Sequence, residues 1–227
     1  MRTFAWRDLT LLPERAVWRA ASRTLFVADV HIGKAAAFRA AGLPAPGGTT
    51  RENLSRLDAL IDRLGPLRLV VLGDLFHARS AYREASLGEV ARWRARRPGL
   101  DVTLVAGNHD AQAGTPPAAL GIEVVAAPYM LEGVECRHHP LDDVRGDGPA
   151  ALAGHLHPAA RLAGPGRDSL RLPCYVMRGR QLILPAFGEF TGATLAAADD
   201  TTALCVVAGE RLISVTAFHA GRQIARR

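Results

Sequence analysis

The sequence is poor in cysteine, in lysine and in long apolar runs. Three cysteines, Cys136, Cys174 and Cys205, are spread over 227 residues. An odd, widely spaced set argues against a disulfide framework and a thiolate-type zinc site. It suits a reducing cytoplasm, where thiols stay free. No apolar run approaches the ~20 residues that a membrane span needs. Residues 1–20, MRTFAWRDLTLLPERAVWRA, interrupt their apolar stretches with charge and do not read as a signal peptide. No internal repeat and no low-complexity linker interrupts the chain. Lys34 is the only lysine among 28 basic residues; the rest are arginine.

What is present is a chain 48% hydrophobic, with mean hydropathy +0.06, a net charge of +6 and a pI near 10.0. That is enough apolar material for a sizeable core, and the pattern reads as one domain spanning residues 1–227. The basic balance favours a polyanionic partner such as nucleic acid. Abundant Ala, Gly and Arg also fit a GC-rich genome, which weakens that inference.

Four apolar runs read as buried strands: TLFVAD (24–29), LRLVVLGD (67–74), DVTLVAGN (101–108) and AALAGH (150–155). Between the first two, Leu54, Leu57, Ile61 and Leu64 recur at helical spacing. Thr49 and Glu52 suggest a capping box, and Gly65-Pro66 a stop. A second helix is expected over 84–97, ending at Pro98-Gly99. From about Ile122 the chain turns to short strands. Hairpins are expected around RGR (178–180) and AGE (208–210).

Each strand of the α/β half, and two in the second half, stops on polar chemistry. Asp29 and His31 come first, then Gly73-Asp74, GNHD (107–110), RHHP (137–140) and GHLHP (154–158). Ligands bind at the carboxyl ends of strands in α/β sheets. Taken singly, D-x-H reads as readily as a turn, and GNHD as a helix N-cap. Seven of the eight histidines fall in or beside these segments: His31, His77, His109, His138, His139, His155 and His157. Carboxylate, amide oxygen and imidazole without thiolate suit Mn²⁺, Fe or Zn²⁺.

The ordered set D-x-H, G-D, G-N-H-D, H, G-H-x-H resembles the calcineurin-like metallophosphoesterases, over roughly residues 24–158. LPAFGEFTG (184–192), with GHLHP and RLPC (171–174), resembles the branch of ligase-associated DNA damage response endonucleases (PdeM). The resemblance implies an α/β fold of two packed mixed β-sheets flanked by helices, a four-layer α/β/β/α sandwich. It implies two divalent metal ions, most naturally Mn²⁺. Asp29, His31 and His157 would hold the first, Asn108, His138 and His155 the second, with Asp74 bridging. A water activated by the ions would attack phosphorus. His109 would serve the leaving group, with Asp110 orienting it or raising its pKa.

Some assignments stay open. His138 and His139 compete for one ligand role, and strand alternation lets only one face the metals. His77 contacts substrate phosphate beside Asn108 and His109, or caps the following helix. RWRARRPG (92–99) is a helix C-terminus or a DNA contact, and His219 is structural. No cationic clamp is evident beside the motifs, which suits a diester better than a monoester.

The expected activity is a metal-dependent phosphodiesterase or endonuclease acting on DNA, in DNA repair. The alternatives are a nucleotide, cyclic-nucleotide or phosphomonoester hydrolase with the same site, or a non-catalytic scaffold. The resemblance also implies work alongside a DNA ligase, a helicase and an exonuclease-like protein.

Overall fold

The computed structural model describes residues 3–79, 84–163, 169–196 and 200–215, and the short strands Phe218–His219 and Arg222–Gln223. Its first sheet contains β1 (Phe4–Trp6), β2 (Leu9–Leu12), β3 (Ala16–Arg19), β4 (Thr24–Val27), β5 (Arg68–Leu72), β6 (Asp101–Val105) and β7 (Ile122–Val125), in that spatial order. The strands are antiparallel from β1 to β4 and parallel from β4 to β7. The switch follows from the connections. Tight turns join the early strands, while helices cross between the later ones.

Those crossovers include α1 (Lys34–Ala40), α2 (Thr49–Leu64) and α3 (Glu84–Ala95); α4 (Asn108–Ala113) follows β6. Helix α2 buries Leu54, Leu57 and Ile61 of the expected stripe and Leu60 beside them, while Leu64 is partly buried against the same core. Its stop is Gly65 in the left-handed region, whose N–H returns to the Ile61 carbonyl. Its start differs from expectation. Gly48 is the N-cap and makes no side-chain cap bond, so Thr49 is already inside the helix. Thr50 instead accepts a hydrogen bond from the Gly33 N–H at 3.3 Å.

The second sheet contains β8 (Tyr129–Leu131), β9 (Val134–Cys136), β10 (Ala150–Ala153), β11 (Pro158–Ala163), β12 (Ser169–Arg178), β13 (Gln181–Ile183), β14 (Thr194–Leu195), β15 (Thr202–Ala208) and β16 (Arg211–Val215). Both expected hairpins form, with Arg178 opposite Gln181 and Ala208 opposite Arg211. Strands β9, β10 and β13 run parallel.

Phe26, Val70 and Leu72 of the first sheet pack with Leu152, Tyr175, Leu182 and Cys205 of the second, forming the core between the sheets. The other face of the first sheet packs against α2, α3 and α4. On the outer face of the second sheet, Cys174, Val176, Leu204 and Val215 cluster among strands. This is the expected pair of mixed sheets with flanking helices; among the described residues, the buried helical stripes lie on the first sheet. The three cysteines are free and buried, and burial pushes each thiol up to about 12. No helix is long and apolar enough to cross a membrane.

The arginine-rich segment at the end of α3 braces that helix against its surroundings. Arg97 donates to Asp58 at 3.0 Å and to Asp62 at 2.6 Å, and Arg96 to Asp58 at 2.9 Å. Arg94 turns inward to the carbonyls of Leu120, Arg97 and Leu100. The helix C-terminus reading therefore describes these residues, and Arg94, Arg96 and Arg97 have donors engaged within the chain. The side chain of His219 lies outside the described residues.

Candidate metal centre

Strands β4, β5 and β6 are parallel and end on one edge of the first sheet, so Asp29, Asp74 and Asn108 follow them side by side. The segments past the strand ends are laced together. Asp29 N–H donates to Gly73 O at 3.1 Å, His31 N–H to Asp74 O at 2.9 Å, and Ile32 N–H to Leu75 O at 2.8 Å. The second sheet brings His138 after β9, His155 after β10, and His157 before β11 to the same edge.

Two donor groups result. In one, Asp29, His31 and His157 offer ligand atoms within 4.8 Å of one another. His31 Nε2 lies 3.2 Å from His157 Nε2, which is 3.5 Å from Asp29 Oδ1. In the other, His138 Nε2 lies 2.9 Å from Asn108 Oδ1 and 3.1 Å from His155 Nδ1. Asp74 Oδ2 stands between them, 4.0 Å from His31 Nε2 and 3.5 Å from His138 Nε2.

The chemistry of this donor set fits a cation. His138 Nδ1–H donates to the Leu72 carbonyl at 3.1 Å, which leaves a lone pair on Nε2. That lone pair faces the Asn108 oxygen and the Asp74 carboxylate, which are also acceptors. His157 repeats the arrangement, with Nδ1–H on the Gly192 carbonyl at 3.1 Å and Nε2 turned inward. Asp29 Oδ1 is buried and has no hydrogen-bond partner. Converging acceptors without a proton to share are costly when buried, and a bound metal relieves that cost. Burial pushes the His31 pKa far below the usual imidazole range, with Lys34 and His157 adding to it. His155 is lowered by burial and by His138, against the pull of Asp29 and Asp74. Both rings are thus kept neutral, the form that ligates.

The backbone at the centre is unusual. Asp29, His31, Asp74, His155 and His157 all have positive φ, between 46° and 70°. For non-glycine residues the left-handed region costs roughly 1–2 kcal/mol each. Such outliers persist where surrounding bonds over-determine them, and they gather at functional sites. Two glycines leave room for the ligands. A Cβ on Gly73, itself at φ 80°, would overlap the His138 ring, and one on Gly107 would meet the Asp74 carboxylate.

His138 is fully buried among the donors, whereas His139 is exposed; the His139 ring lies 4.2 Å from that of His155 and 4.8 Å from that of His138, and the three offer ligand atoms within 4.8 Å of one another. His109 is part-exposed, with Nε2 4.0 Å from Asp74 Oδ2. Its Nδ1 contacts the His77 carbonyl at 2.9 Å, and its backbone N–H holds Asp74 Oδ1 at 2.9 Å. His77 stacks on His109 at 4.7 Å, so it supports that ring, and burial lowers its pKa to about 4.

Asp110 does not take the expected part. Its carboxylate accepts the backbone N–H groups of Asp74 at 2.6 Å, Gly107 at 3.0 Å and Phe76 at 3.0 Å. Both oxygens are committed to backbone, because the start of α4 and the Asp74 loop leave N–H groups that need acceptors. Asp110 therefore fixes the Asp74 loop, and His109 is oriented by His77. Burial pushes the Asp110 carboxyl up to about 6, against the pull of those N–H bonds. The N-cap reading and the ligand reading of GNHD describe one structure.

Other residues escaped the sequence reading. Lys34 is half-buried at the start of α1; burial lowers its pKa while Asp29 and Asp74 pull it back up. It supplies a cation in the electrostatic field of the two carboxylates, where none was expected. The segment Phe187–Glu189 braces the Asp29 loop. Phe187 N–H donates to Ala28 O at 2.8 Å and Gly188 N–H to Asp29 O at 3.0 Å. Glu189 pairs with Arg15 and Arg56, and its N–H donates to Asn53 Oδ1 at 3.1 Å. The glycine before Asp74, Asn108 and His155, and the lone lysine directly after His31-Ile32-Gly33, are the available signals.

Comparison with known proteins agrees with this geometry. Residues 22–165 match the family described as calcineurin-like phosphoesterase. The chain is similar to the crystal structure of Pseudomonas putida nuclease MPE, at 41% identity over 94% of this chain and 99% of that one, with TM-score 0.80. A phosphoesterase from E. coli, Yfce, aligns at 17% identity over 85% of this chain and 98% of that one. Its TM-score of 0.44 is too low to bear on the site. No curated protein sequence matches. The chain belongs to the calcineurin-like phosphoesterase family, hydrolases that bind divalent metals.

Proposed function

We propose that this protein is a metal-dependent phosphodiesterase that cuts DNA internally, a cytoplasmic endonuclease of DNA repair. The observation that carries the reading is the position of Asp74 Oδ2, 4.0 Å from His31 Nε2 and 3.5 Å from His138 Nε2. One carboxylate oxygen faces two separate groups of donor atoms, an arrangement that fits a pair of ions. Asp29, His31 and His157 would hold one ion, and Asn108, His138 and His155 the other. Two bound ions, Mn²⁺ on this reading, would supply Lewis-acid polarisation of the phosphoryl oxygens and lower the pKa of an attacking water.

The chain's own residues do the rest. The Leu72, His77 and Gly192 carbonyls hold the Nδ1 protons of His138, His109 and His157, fixing each ring before substrate arrives. With Nδ1–H of His109 held by the His77 carbonyl, Nε2 is the ring atom left to serve the leaving oxygen; it is part-exposed and lies 4.0 Å from the Asp74 carboxylate. Asn108 and His77 border the same position. Lys34 adds positive charge as negative charge grows on phosphorus.

The DNA substrate is favoured by the 41% likeness to a nuclease and by the basic balance of the chain. The test compares DNA, bis(p-nitrophenyl) phosphate, p-nitrophenyl phosphate and a mononucleotide, each with Mn²⁺ and with EDTA. The expected result is chelator-sensitive nicking of DNA and turnover of the diester above the monoester. Brisk turnover of the mononucleotide with no cut in any DNA form would make it a nucleotide phosphoesterase.

A further inference from the structure

A cleft of about 350 Å³ opens beside His157 and continues along β11 and β12. Its wall includes Arg15, His157, Ala159, Arg171, Pro173 and Glu189. Strand register places Ala159 opposite Pro173 and Arg161 opposite Arg171. Alternation then carries Arg161 on the face of Ala159, and Arg171 on the face of Pro173. Two exposed arginines thus stand directly across from one another on the strand pair that leaves the metal centre. Arg161 is four positions along the chain from His157, at most about 14 Å.

Like charges directly opposite destabilise a sheet, and here no carboxylate among the described residues offsets them. Among the described residues, neither Arg161 nor Arg171 reaches a carboxylate, whereas Arg19, Arg96, Arg97, Arg137 and Arg180 all do. Glu189, the acid on the cleft wall among the described residues, is occupied by Arg15 and Arg56. Among the described residues, the strand pair therefore carries positive charge that no acid pairs with, continuous with the candidate catalytic centre.

We propose that Arg161 and Arg171 clamp a backbone phosphate of a polynucleotide, beyond the scissile position, on a track that leads from His157 along β11 and β12. The proposal rests on the phosphodiesterase reading of the centre. A planar guanidinium bonds phosphate oxygens in pairs, and two of them from opposite strands can hold one phosphate between them. The clamp reads no sequence, and it favours strands long enough to reach it over mononucleotides.

The test is a salt titration of affinity for a labelled single-stranded oligonucleotide with cleavage-resistant phosphorothioate links, on the metal-loaded protein. The Arg161→Gln/Arg171→Gln variant should bind about tenfold more weakly at low salt, the loss of one charged hydrogen-bonding contact. Its log–log salt slope should be shallower by about 0.7, one phosphate fewer. Arg161→Lys/Arg171→Lys should keep the wild-type slope, because charge sets the slope. An unchanged slope and affinity in the Gln variant would overturn the clamp, even in a protein that turns over bis(p-nitrophenyl) phosphate. A wild type inert toward that diester, with a slope that depends on the two arginines, would overturn the phosphodiesterase reading and keep the clamp.

Discussion

The two sheets contribute to the centre in different ways. The first supplies Asp29, Asp74 and Asn108 from neighbouring parallel strands, on segments tied to one another by backbone hydrogen bonds. The second supplies His138, His155 and His157, and their rings reach the centre only across the interface between sheets. His138 hydrogen-bonds to Leu72 of the first sheet, and His155 N–H donates to Asp29 Oδ2 at 2.9 Å. The carboxylate half is thus organised by local strand order, and the imidazole half by packing. The difference teaches that the metal centre is complete only when both cores are formed.

The largest effect should come from the residue that joins the halves. Asp74→Ala is expected to abolish measurable activity and to lower bound metal, checked by elemental analysis of the purified variant beside turnover of a diester. Full metal content in that variant would break the comparison, because each donor group would then hold its ion without the shared carboxylate.

His109→Ala comes next. It should retain both ions and lose ~10²–10⁴-fold in rate on a poor leaving group, the usual scale of general acid catalysis. The loss should shrink on p-nitrophenyl esters, which need no acid. An equal loss on both substrates would remove the acid role.

Gly73→Ala separates the two donor groups. The new methyl would overlap the His138 ring, and φ 80° strains any side chain. Overpacking costs about 1–3 kcal/mol, and it should fall on the group of Asn108, His138 and His155. Isothermal titration with Mn²⁺ should show one site weakened more than the other. Equal weakening would mean that the two groups do not act separately.

Much of this was legible from residue order. Asp29, Asp74 and Asn108 stood out because each breaks an apolar strand at its carboxyl end. His155 and His157 stood out as a tight polar pair after AALAG. The helical stripe of α2 and both hairpin turns followed from period and turn chemistry. Other features depend on groups distant in sequence. Asp110 was read as His109's partner because the two are adjacent, yet its acceptors are needed by N–H groups of Asp74 and Phe76, 36 and 34 residues away. The burial of His138 against the Leu72 carbonyl, with His139 left exposed, depends on a strand 66 residues away. The capping box at Thr49 failed because Gly48 adopts the left-handed conformation that begins the helix one residue earlier. The arginines near Arg94 looked available only while Asp58 and Asp62 were out of view.

A smaller effect concerns pH. The folded pKa values of His31, His77 and His155 lie below the ordinary 6.5, with His77 at about 4. The unfolded chain then binds more protons, so the stability they contribute is present above about 6.5 and lost as pH falls toward 4. Asp110 works the other way, since its raised pKa near 6 gives stability below about 3.8 that is lost as pH rises through 6. Thermal melts of metal-free protein should fall on acidification from pH 7, and His77→Asn should flatten that fall. A flat wild-type profile would contradict the neutral histidine cluster. The smallest effect is expected at the surface: Arg97→Ala should cost no more than ~1 kcal/mol and leave the rate unchanged.

The most direct test of the shared centre is the Mn²⁺ stoichiometry of the wild-type chain and of Asp74→Asn, measured by titration calorimetry on metal-free protein. The Asn side chain keeps the shape of Asp74 and removes the charge that both halves face. Two ions per wild-type chain, with weaker binding of both in Asp74→Asn, is the result expected of a bridging carboxylate. A single ion in the wild type, or two ions bound equally well without the Asp74 charge, would contradict it.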